Sequence, residues 1–355
     1  MALAVGLLVA LGIPGGVSHA AKMGGEITVG IDTDAKGWDP HKATAFTSFS
    51  FFEHVYECPI RYNSKGAIIP SLATSWETPD DRTIIFNVRK GVKFHNGRLM
   101  TGEDFKYSYM RLKDPKQSQY PSEWIALESV DVLSKYKVRF NLNRPDPIML
   151  RNMAQCRFAA IVPREVVEEH GDLTAVQVGT GPWTVKQYIP GDYTIFERFE
   201  DYWDKPYPRL DRMKFQVIKD EISRLAAVRK GVMEVTWVKE AHMAAGARKT
   251  KGLKVYTPPP ARQGRIFFNT KKPPFDNKKL RQAVAAAIDW DALVANILFG
   301  FGTKSASVPP AAAPYALPQD EVEKMRFKNR NLSLSKRLLK EAGHPNGFSF
   351  TLLTS

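Results

Sequence analysis

Residues 83–108 read TIIFNVRKGVKFHNGRLMTGEDFKYS, and the elements that they predict decide how the rest of the chain is interpreted. Thr83–Val88 is rich in β-branched residues and alternates in polarity, which predicts a strand. Asn and Gly tolerate a positive φ, so His95–Gly97 is predicted to be a turn. The stretch as a whole therefore predicts a strand, a turn and a helix.

The helix of this stretch is predicted to start with a capping box. Thr101 can accept a backbone hydrogen bond as the N-cap residue, and Asp104 stands at the position of its acidic partner. Phe105, Tyr109 and Leu112 follow at the spacing i, i+4, i+7, which places them on one face of the helix. We expect this face to pack on a core.

His95 is the side chain in this stretch that most invites a functional interpretation. No second histidine and no carboxylate stands near it at the spacing of metal ligands. We therefore expect His95 to form a hydrogen bond within the turn region, and a contact with a ligand is the alternative.

The chain has 355 residues, 43% hydrophobic and 25% charged, which is enough for two or three globular domains. Its formal net charge of +14 lies in residues 201–355, which hold 28 Lys and Arg against 14 Asp and Glu. Acidic residues interrupt this basic half, and its densest cluster, KKPPFDNKKLR at 271–281, has a single aromatic residue. Nucleic acids bind to continuous basic surfaces with stacking aromatics, so we expect no nucleic-acid partner.

Two cysteines, Cys58 and Cys156, stand alone in the sequence, and neither belongs to a C-x-x-C motif. This spacing argues against a cysteine-rich metal site and against a thioredoxin-like redox centre. The two could form a disulfide in an exported protein, and two free buried thiols are the alternative. We predict no metal site and no cofactor.

Residues 1–21, MALAVGLLVALGIPGGVSHAA, have the pattern of a secretory signal peptide. Ala2–Ile13 is an apolar run too short to span a bilayer, and Pro14–Gly16 breaks it. Ser18–Ala20 fits a small-x-small cleavage site before Ala21. We therefore predict export to the periplasm. A buried N-terminal strand or helix is the alternative, and the missing basic residues leave open a start further upstream.

Predicted strands and helices alternate along the rest of the chain, with local hairpins, which favours a mixed α/β protein of several lobes. The predicted strands are Glu26–Ile31, Lys137–Leu142, Trp183–Tyr188, Tyr193–Arg198, Leu210–Ile218, Val235–Val238 and Gly264–Asn269. The predicted helices are Phe46–Tyr56, Pro163–His170, Glu221–Val228, Leu280–Asp289, Ala292–Phe299 and Leu334–Ala342. The proline-rich segments at 258–260 and 309–318 are candidate domain crossings or surface loops.

Motifs of catalysis are missing from the sequence. It contains no G-x-S-x-G, H-E-x-x-H, P-loop or G-x-G-x-x-G pattern. Its seven histidines are scattered, with no pair at the spacing i, i+3 or i, i+4. We therefore predict that the chain is not an enzyme. An exported, non-catalytic α/β protein suggests a binding protein.

Six blocks of sequence carry a family resemblance. They are WDPHKAT at 38–44, PSLATSWE at 70–77, the stretch at 83–108, VGTGPWTVKQYIPGDYTIFERFEDYWDKPYPRLDRMKFQVIKDE at 178–221, FFNTKKPPFDNKKLRQAVAAAIDWDALV at 267–294 and SKRLLKEAGHPNGFSFTLL at 335–353. In these blocks the chain resembles the bacterial extracellular solute-binding proteins of family 5. Members of this family serve ATP-driven importers of di- and oligopeptides, and some serve importers of nickel chelates.

The resemblance implies an α/β fold like that of the type II periplasmic binding proteins. Two lobes would close about a hinge near Pro258–Pro260, and lobe one would carry an extra small domain. By position, lobe one is 22–60 and 178–262, the extra domain is 61–177, and lobe two is 263–355. Family members continue for roughly another 150 residues, so lobe two is expected to be incomplete in this chain.

The resemblance also implies ligand-binding residues in lobe one and in the extra domain. Thr44, Ala45 and Phe46 would line the cleft, and a core position for Phe46 is the alternative. Tyr120 and Trp124 would offer aromatic rings to the ligand, and packing against the extra domain is the alternative.

Two further residues are implied on the hinge side. Arg262 and Gly264 would lie beside the predicted strand Gly264–Asn269, and Arg262 could hold a carboxylate with two hydrogen bonds. A solvated or structural arginine is the alternative. Gly179–Gly181 is expected to form a turn with a backbone role and no ligand contact.

The predicted function is that of a periplasmic receptor that captures di- and oligopeptides by lobe closure. It would act as a monomer and deliver its ligand to the permease subunits of an ABC importer. A receptor of the same family for a nickel chelate, a sugar or an opine-like compound is one alternative. A binding protein outside transport, such as a chaperone or the partner of a sensor, is the other.

Overall fold

The computed structural model describes residues 23–257, 263–309, 316–325 and 327–353, and the backbone alone of residues 7–11. The chain divides into two units. One unit comprises residues 15–220, and the other comprises residues 1–14 and 221–355. The domain boundaries implied by the family resemblance stay predictions.

Strands and helices alternate along the described chain. The strands are β1 Leu7–Leu11, β2 Glu26–Ile31, β3 Ile60–Tyr62, β4 Ile68–Pro70, β5 Ala73–Asp80, β6 Thr83–Val88, β7 Leu127–Ser134, β8 Lys137–Leu142, β9 Trp183–Ile189, β10 Tyr193–Arg198, β11 Arg212–Val217, β12 Val235–Val238 and β13 Leu253–Tyr256. The helices are α1 Phe46–Val55, α2 Gly102–Lys113, α3 Met149–Met153, α4 Cys156–Ala159, α5 Arg164–His170, α6 Glu221–Arg229, α7 Ala241–Arg248, α8 Lys278–Ala287, α9 Trp290–Asn296, α10 Gln319–Lys324 and α11 Leu332–Glu341. A 3-10 turn spans Pro121–Trp124.

The quoted stretch at 83–108 supplies strand β6, one of the two central strands of an antiparallel sheet with the strand order β5-β6-β8-β7. Buried and half-buried side chains alternate along β6 and β8, as the sequence period predicts. Helix α2 covers the buried face of this sheet. The Phe140 ring lies 4.7 Å from the Tyr109 ring and 5.4 Å from the Phe86 ring. Phe105, Tyr109 and Leu112 are all buried, so the predicted face is confirmed.

Helix α2 begins with the predicted capping box. The Thr101 Oγ1 atom accepts from the Glu103 N–H at 3.3 Å, and the Thr101 N–H donates to the Asp104 carboxylate at 2.8 Å. Arg98 donates two further hydrogen bonds to Asp104, at 2.6 and 3.1 Å. These contacts satisfy donors that the first helical turn leaves unpaired. Arg98 also links the turn at 95–97 to the start of α2.

A second sheet in the unit of residues 15–220 holds the candidate site. Strand β2 runs parallel to β11, and β11, β10 and β9 continue the sheet as antiparallel neighbours. Helix α1 packs on this sheet through aromatic residues, with the Phe51 ring 5.2 Å from the Phe215 ring. The loop between β2 and α1 is therefore held at both ends by core elements.

The unit of residues 1–14 and 221–355 has a smaller sheet and a helix pair. Strand β1 lies between β12 and β13 and is antiparallel to both. Helices α8 and α11 pack through Ala283, Ala286, Leu334 and Leu338. The backbone of β1 forms a strand within the predicted signal peptide at 1–21. Cleavage at Ala21 stays a prediction.

One strand prediction is wrong. Gly264–Asn269 has no regular structure, and the Phe267 side chain is 84% exposed. Its β-branched and aromatic residues predicted a strand, but a strand also needs a neighbouring backbone to complete its hydrogen bonds. No strand of the described chain pairs with these residues. The predicted hinge at Pro258–Pro260 lies outside the described residues.

Candidate ligand-binding site

A buried ion pair anchors the loop that leads from β2 to α1. The Arg111 guanidinium, from α2, donates two hydrogen bonds to Asp39 at 2.6 and 3.0 Å, and both side chains are 1% exposed. Asp39 also accepts from the Leu173 N–H at 3.1 Å and from the His41 N–H at 2.9 Å. One carboxylate thus joins the loop, α2 and the segment after α5.

The protonation states of this network follow from burial. Burial alone would raise the pKa of Asp39, but the hydrogen bonds from Arg111 and the nearby positive charge hold it below its ordinary value. Burial, with the neighbouring charge of Arg111, lowers the pKa of His41 to about 4. Neutral His41 then donates from Nε2 to the Ala160 carbonyl at 2.9 Å. The loop is held by a charged pair and a neutral imidazole.

Tyr120 fixes the same loop from its other side. The Tyr120 hydroxyl donates to the Ala43 carbonyl oxygen at 2.5 Å, and the Gln119 N–H donates to the His41 carbonyl at 2.9 Å. Burial raises the pKa of Tyr120, and the charge of Arg157 opposes that rise. The backbone that leads into Thr44 is therefore held by hydrogen bonds on two sides.

The backbone at Thr44 and Ala45 is open to a partner. Thr44 is exposed, and Ala45 has an extended conformation, with φ −69° and ψ 127°. The Thr44 N–H, the Thr44 carbonyl and the Ala45 N–H make no hydrogen bond with any residue in the described ranges. Such groups can pair with the main chain of an extended peptide, as the edge of a sheet does.

Four aromatic residues surround this segment, and we call them the aromatic patch: Phe46, Phe49, Tyr120 and Phe158. Phe46 is 68% exposed and meets Phe49 edge-on at 5.9 Å. Tyr120 meets Phe158 edge-on at 5.3 Å. The patch thus combines the exposed ring of Phe46, two half-buried rings and the buried ring of Tyr120, as ligand sites often do.

Arg157 lies between two rings of the patch. Its guanidinium carbon is 4.1 Å from the Phe158 ring centre and 5.5 Å from that of Phe49. A guanidinium over an aromatic face is attracted by the ring and is held in a defined plane. The site therefore brings together exposed main-chain groups, aromatic rings and one cation.

Of the predicted ligand contacts, four come together here, namely Thr44, Ala45, Phe46 and Tyr120. Phe46 lies at the surface and not in the core. Trp124 is fully buried and packs edge-on against Tyr109 at 4.8 Å. This position agrees with the alternative that Trp124 packs against the extra domain. A ligand contact for Trp124 stays a prediction.

The two residues predicted on the hinge side belong to the other unit. Gly264 is exposed, in a segment without regular structure. Arg262 lies outside the described residues. Their proposed ligand contacts stay predictions.

His95 has a structural role, as the sequence predicts, but its hydrogen-bond partners lie in the segment Gly179–Gly181 and not in its own turn. Its Nε2 atom lies 2.9 Å from the Gly181 carbonyl, and the Gly179 N–H lies 3.3 Å from its Nδ1 atom. Burial lowers its pKa to about 4, so the ring is neutral at pH 7. Gly179 and Gly181 meet the end of α1 so closely that an added Cβ would lie 2.0 Å from the Val55 carbonyl and 2.6 Å from the His54 carbonyl, respectively. The turn has the predicted backbone role.

A surface depression of about 530 Å³ beside α2 and α5 is a weaker candidate. Its charged residues neutralise one another, with Arg98 on Asp104 and Glu165, and Arg164 on Glu168. No cluster of metal-ligating side chains occurs in the part of the chain that the structure describes. These observations favour the aromatic patch as the site.

The sequence gives no signal for three residues of the site, namely Phe49, Phe158 and Arg157. Phe49 falls within a run of aromatic residues on α1, where nothing distinguishes it from core neighbours. Arg157 and Phe158 stand between Cys156 and an apolar run, with no motif around them. Phe49 lies about a hundred positions before Arg157 and Phe158 in the chain, so only the fold brings it into contact with them.

Comparison with known proteins supports the same conclusion. Residues 67–355 match the family described as Bacterial extracellular solute-binding proteins, family 5 Middle. The chain belongs to this family. The resemblance carried by the six sequence blocks is thereby confirmed, and the family is one of solute-binding proteins, not enzymes. Among the described residues of this family 5 protein, no helix is long and apolar enough to cross a membrane.

Relatives of this family 5 protein bind peptides and other small solutes. It is 28% identical over 362 residues to the glutathione-binding protein GsiB of Escherichia coli O1:K1 / APEC. This alignment covers 98% of this chain and 67% of GsiB. The oligopeptide-binding protein AppA of Bacillus subtilis, solved with a nonapeptide, is 25% identical with a TM-score of 0.72, over 90% of this chain and 64% of AppA. The binding protein AgaA of A. tumefaciens R10, solved with agropinic acid, is 25% identical with a TM-score of 0.69. The likeness covers 91% of this chain and 65% of AgaA.

These likenesses confirm the predicted fold class, an α/β fold of the type II periplasmic binding proteins. The family 5 chain spans about two thirds of the length of these relatives.

Proposed function

We propose that this chain is a periplasmic receptor for short peptides, which it delivers as a monomer to the permease subunits of an ABC importer. The family supports a solute-binding role, and AppA, with its bound nonapeptide, supports a peptide as the solute. Capture would proceed by closure of the lobes on the ligand, because a ligand that binds the closed form better shifts the population toward it.

The observation that carries the proposal is the open backbone at Thr44 and Ala45. The Thr44 N–H, the Thr44 carbonyl and the Ala45 N–H are unpaired within the described chain, on a loop held by the Asp39–Arg111 pair and by Tyr120. A loop fixed in this way loses little conformational freedom when a peptide pairs with it. Main-chain pairing is independent of side chains, so it suits a receptor that accepts many peptide sequences.

A thermal melt of the chain with and without a pool of di- to hexapeptides tests the proposal. At about 100 times the dissociation constant a ligand adds about 2.7 kcal/mol to stability, so we expect the melting temperature to rise. A cooperative melt that no member of the pool shifts would contradict peptide binding.

A pair of substitutions locates the peptide on the loop. Ala45→Pro fits the observed φ of −69° and removes the Ala45 N–H. We expect it to melt like the wild type and to bind peptide about tenfold more weakly, the effect of one lost hydrogen bond. Ala45→Ser changes the same position but keeps the Ala45 N–H, and it is the matched control, with affinity close to that of the wild type. Equal affinities for all three proteins would place the peptide elsewhere.

A small solute other than an ordinary peptide is the second candidate. It is favoured by GsiB, named for glutathione, and by AgaA, solved with agropinic acid. The same melts with glutathione and with an opine separate the candidates, since a shift with these alone would replace the peptide as the proposed ligand.

A further inference from the structure

Arg157 is a cation without a polar partner. Its guanidinium makes no hydrogen bond and no ion pair with any residue that the structure describes, and its Nε atom is buried without an acceptor. Three other arginines of the same unit each pair with a carboxylate: Arg111 with Asp39, Arg98 with Asp104, and Arg164 with Glu168. Leaving a buried donor unpaired costs free energy. Arg111 also has an unpaired Nε atom, but its other two nitrogens bind Asp39, whereas Arg157 has no polar partner among the described residues.

The surroundings of Arg157 hold it ready for an incoming group. The rings of Phe158 and Phe49 flank the guanidinium at 4.1 and 5.5 Å and restrict its rotation. Phe158 in turn contacts Tyr120, which fixes the loop before Thr44. The unpaired cation therefore shares the aromatic patch with the open backbone of the site.

The geometry points to a carboxylate as the missing partner. A guanidinium presents two parallel N–H donors that match the two oxygens of a carboxylate, and the partly apolar patch strengthens the charge-assisted hydrogen bonds. We infer that Arg157 binds a carboxylate of the ligand, so that the receptor selects peptides and peptide-like solutes with a free terminal carboxylate. Lys42, the lysine of the same loop, is already paired with Asp172 at 2.9 Å, so Arg157 supplies a single charge that suits a monoanion. This inference rests on the proposed function and names the ligand group that the same site selects.

The test compares trialanine with trialanine amide, which lacks only the terminal carboxylate. We expect the wild type to bind the acid about 10- to 100-fold more tightly than the amide, the range for hydrogen bonds to charged groups. Arg157→Gln should bind both peptides alike, with the affinity of the wild type for the amide. Arg157→Lys keeps the charge without the fork and should keep part of the preference. Affinities come from titration calorimetry, and thermal melts check that each variant is folded.

Arg164→Gln is the matched control. It also removes one arginine that lies over an aromatic ring, Tyr107 at 5.9 Å, but on the exposed side of α5 and in an ion pair with Glu168. We expect it to keep the full preference for the acid, which excludes a general effect of net charge.

The remaining outcomes are distinct. An acid preference that persists unchanged in a folded Arg157→Gln overturns the inference and leaves peptide binding intact. Equal weakening for acid and amide in Arg157→Gln shows a structural role and overturns it too. If the wild type binds neither peptide, the proposed function fails, and the inference fails with it.

Discussion

The hydroxyl of Tyr120 donates a hydrogen bond of 2.5 Å to the backbone carbonyl of Ala43, a residue 77 positions earlier in the chain. The bond joins the segment before the 3-10 turn at 121–124 to the loop that exposes Thr44 and Ala45. Tyr120 is 9% exposed, so the bond is shielded from water. It sets the position of the backbone to which we assign peptide binding.

Tyr120→Phe removes this bond and keeps the ring. We expect the free energy of unfolding to fall by about 1 kcal/mol, the usual net worth of a hydrogen bond, and peptide affinity to fall because the loop is less fixed. Urea unfolding and calorimetry measure the two effects. Tyr107→Phe is the control, since the Tyr107 hydroxyl has no hydrogen bond to a described residue. Unchanged affinity in Tyr120→Phe would argue against a positioning role.

Arg111→Ala leaves the Asp39 carboxylate buried without its cation. Both side chains are 1% exposed, and breaking a buried pair from one side typically costs about 3–5 kcal/mol. We expect a loss of that size in urea unfolding. Arg139→Ala breaks the exposed pair with Asp131, where the side chains are 43% and 41% exposed, and should cost below about 1 kcal/mol. Similar losses for both variants would contradict the burial argument.

The stability of the protein is expected to fall as the pH drops from about 6.5 to 4.5. Burial lowers the pKa of His41, His54 and His95 to about 4, so in this window the unfolded chain binds protons that the folded chain does not. Glu57 opposes the trend, because burial raises its pKa to about 7 and the folded state then holds the extra proton. Burial raises the pKa of Glu53 as well, but three groups outweigh two, so urea midpoints should decrease with acidification.

His54→Phe isolates one of these groups. His54 lies 5.3 Å from the rings of both Phe196 and Phe215, where a phenyl ring can take its place. We expect a shallower loss of stability between pH 6.5 and 4.5 than in the wild type. Measurement at pH 8, where histidine is neutral, gives the packing difference to subtract. Parallel curves for the two proteins would refute the assignment.

Gly179→Ala tests the close approach of the turn to α1. The new Cβ would lie 2.0 Å from the Val55 carbonyl oxygen and 2.8 Å from the Tyr56 ring, so backbone must move. We expect a loss of at least about 3 kcal/mol or failure to fold, read from circular dichroism and thermal melts. Gly246→Ala on α7 meets nothing within 4 Å and should stabilise by about 0.5–1 kcal/mol. A tolerated Gly179→Ala would show that the two segments are less closely packed.

Cys58 and Cys156 are free thiols whose sulfur atoms lie 2.7 Å apart. Hydrogen bonding with Cys58 and burial raise the pKa of the Cys156 thiol, so we expect oxidation to need an added disulfide. With oxidised glutathione the two thiols should form one disulfide and release two molecules of reduced glutathione. Closing a loop of about 100 residues should stabilise the chain by up to about 4.7 kcal/mol in the chain-entropy estimate.

Mass spectrometry and thermal melts with and without a reductant measure this oxidation. Cys156→Ser is the control, with no change in melting temperature on adding the oxidant. Two thiols still titratable after oxidation would rule out the pairing.

Local sequence was sufficient for the elements whose determinants are neighbours in the chain. The capping box of Thr101 and Asp104, the buried face of α2 and the strand β6 depend on residues within one turn or one strand, so the period and the cap predicted them. Gly264–Asn269 failed because its strand-like composition has no pairing partner in the described chain, and composition cannot supply one.

The sequence by itself determined the α/β class and the family, and it predicted the loop at 44–46 as part of the site. Only the tertiary structure decided that Trp124 is buried against Tyr109 and that Arg157 stands unpaired between Phe49 and Phe158. The physical reason is separation along the chain. Propensity and capping act between near neighbours, whereas burial and the pairing of charges depend on which distant segments the fold brings into contact.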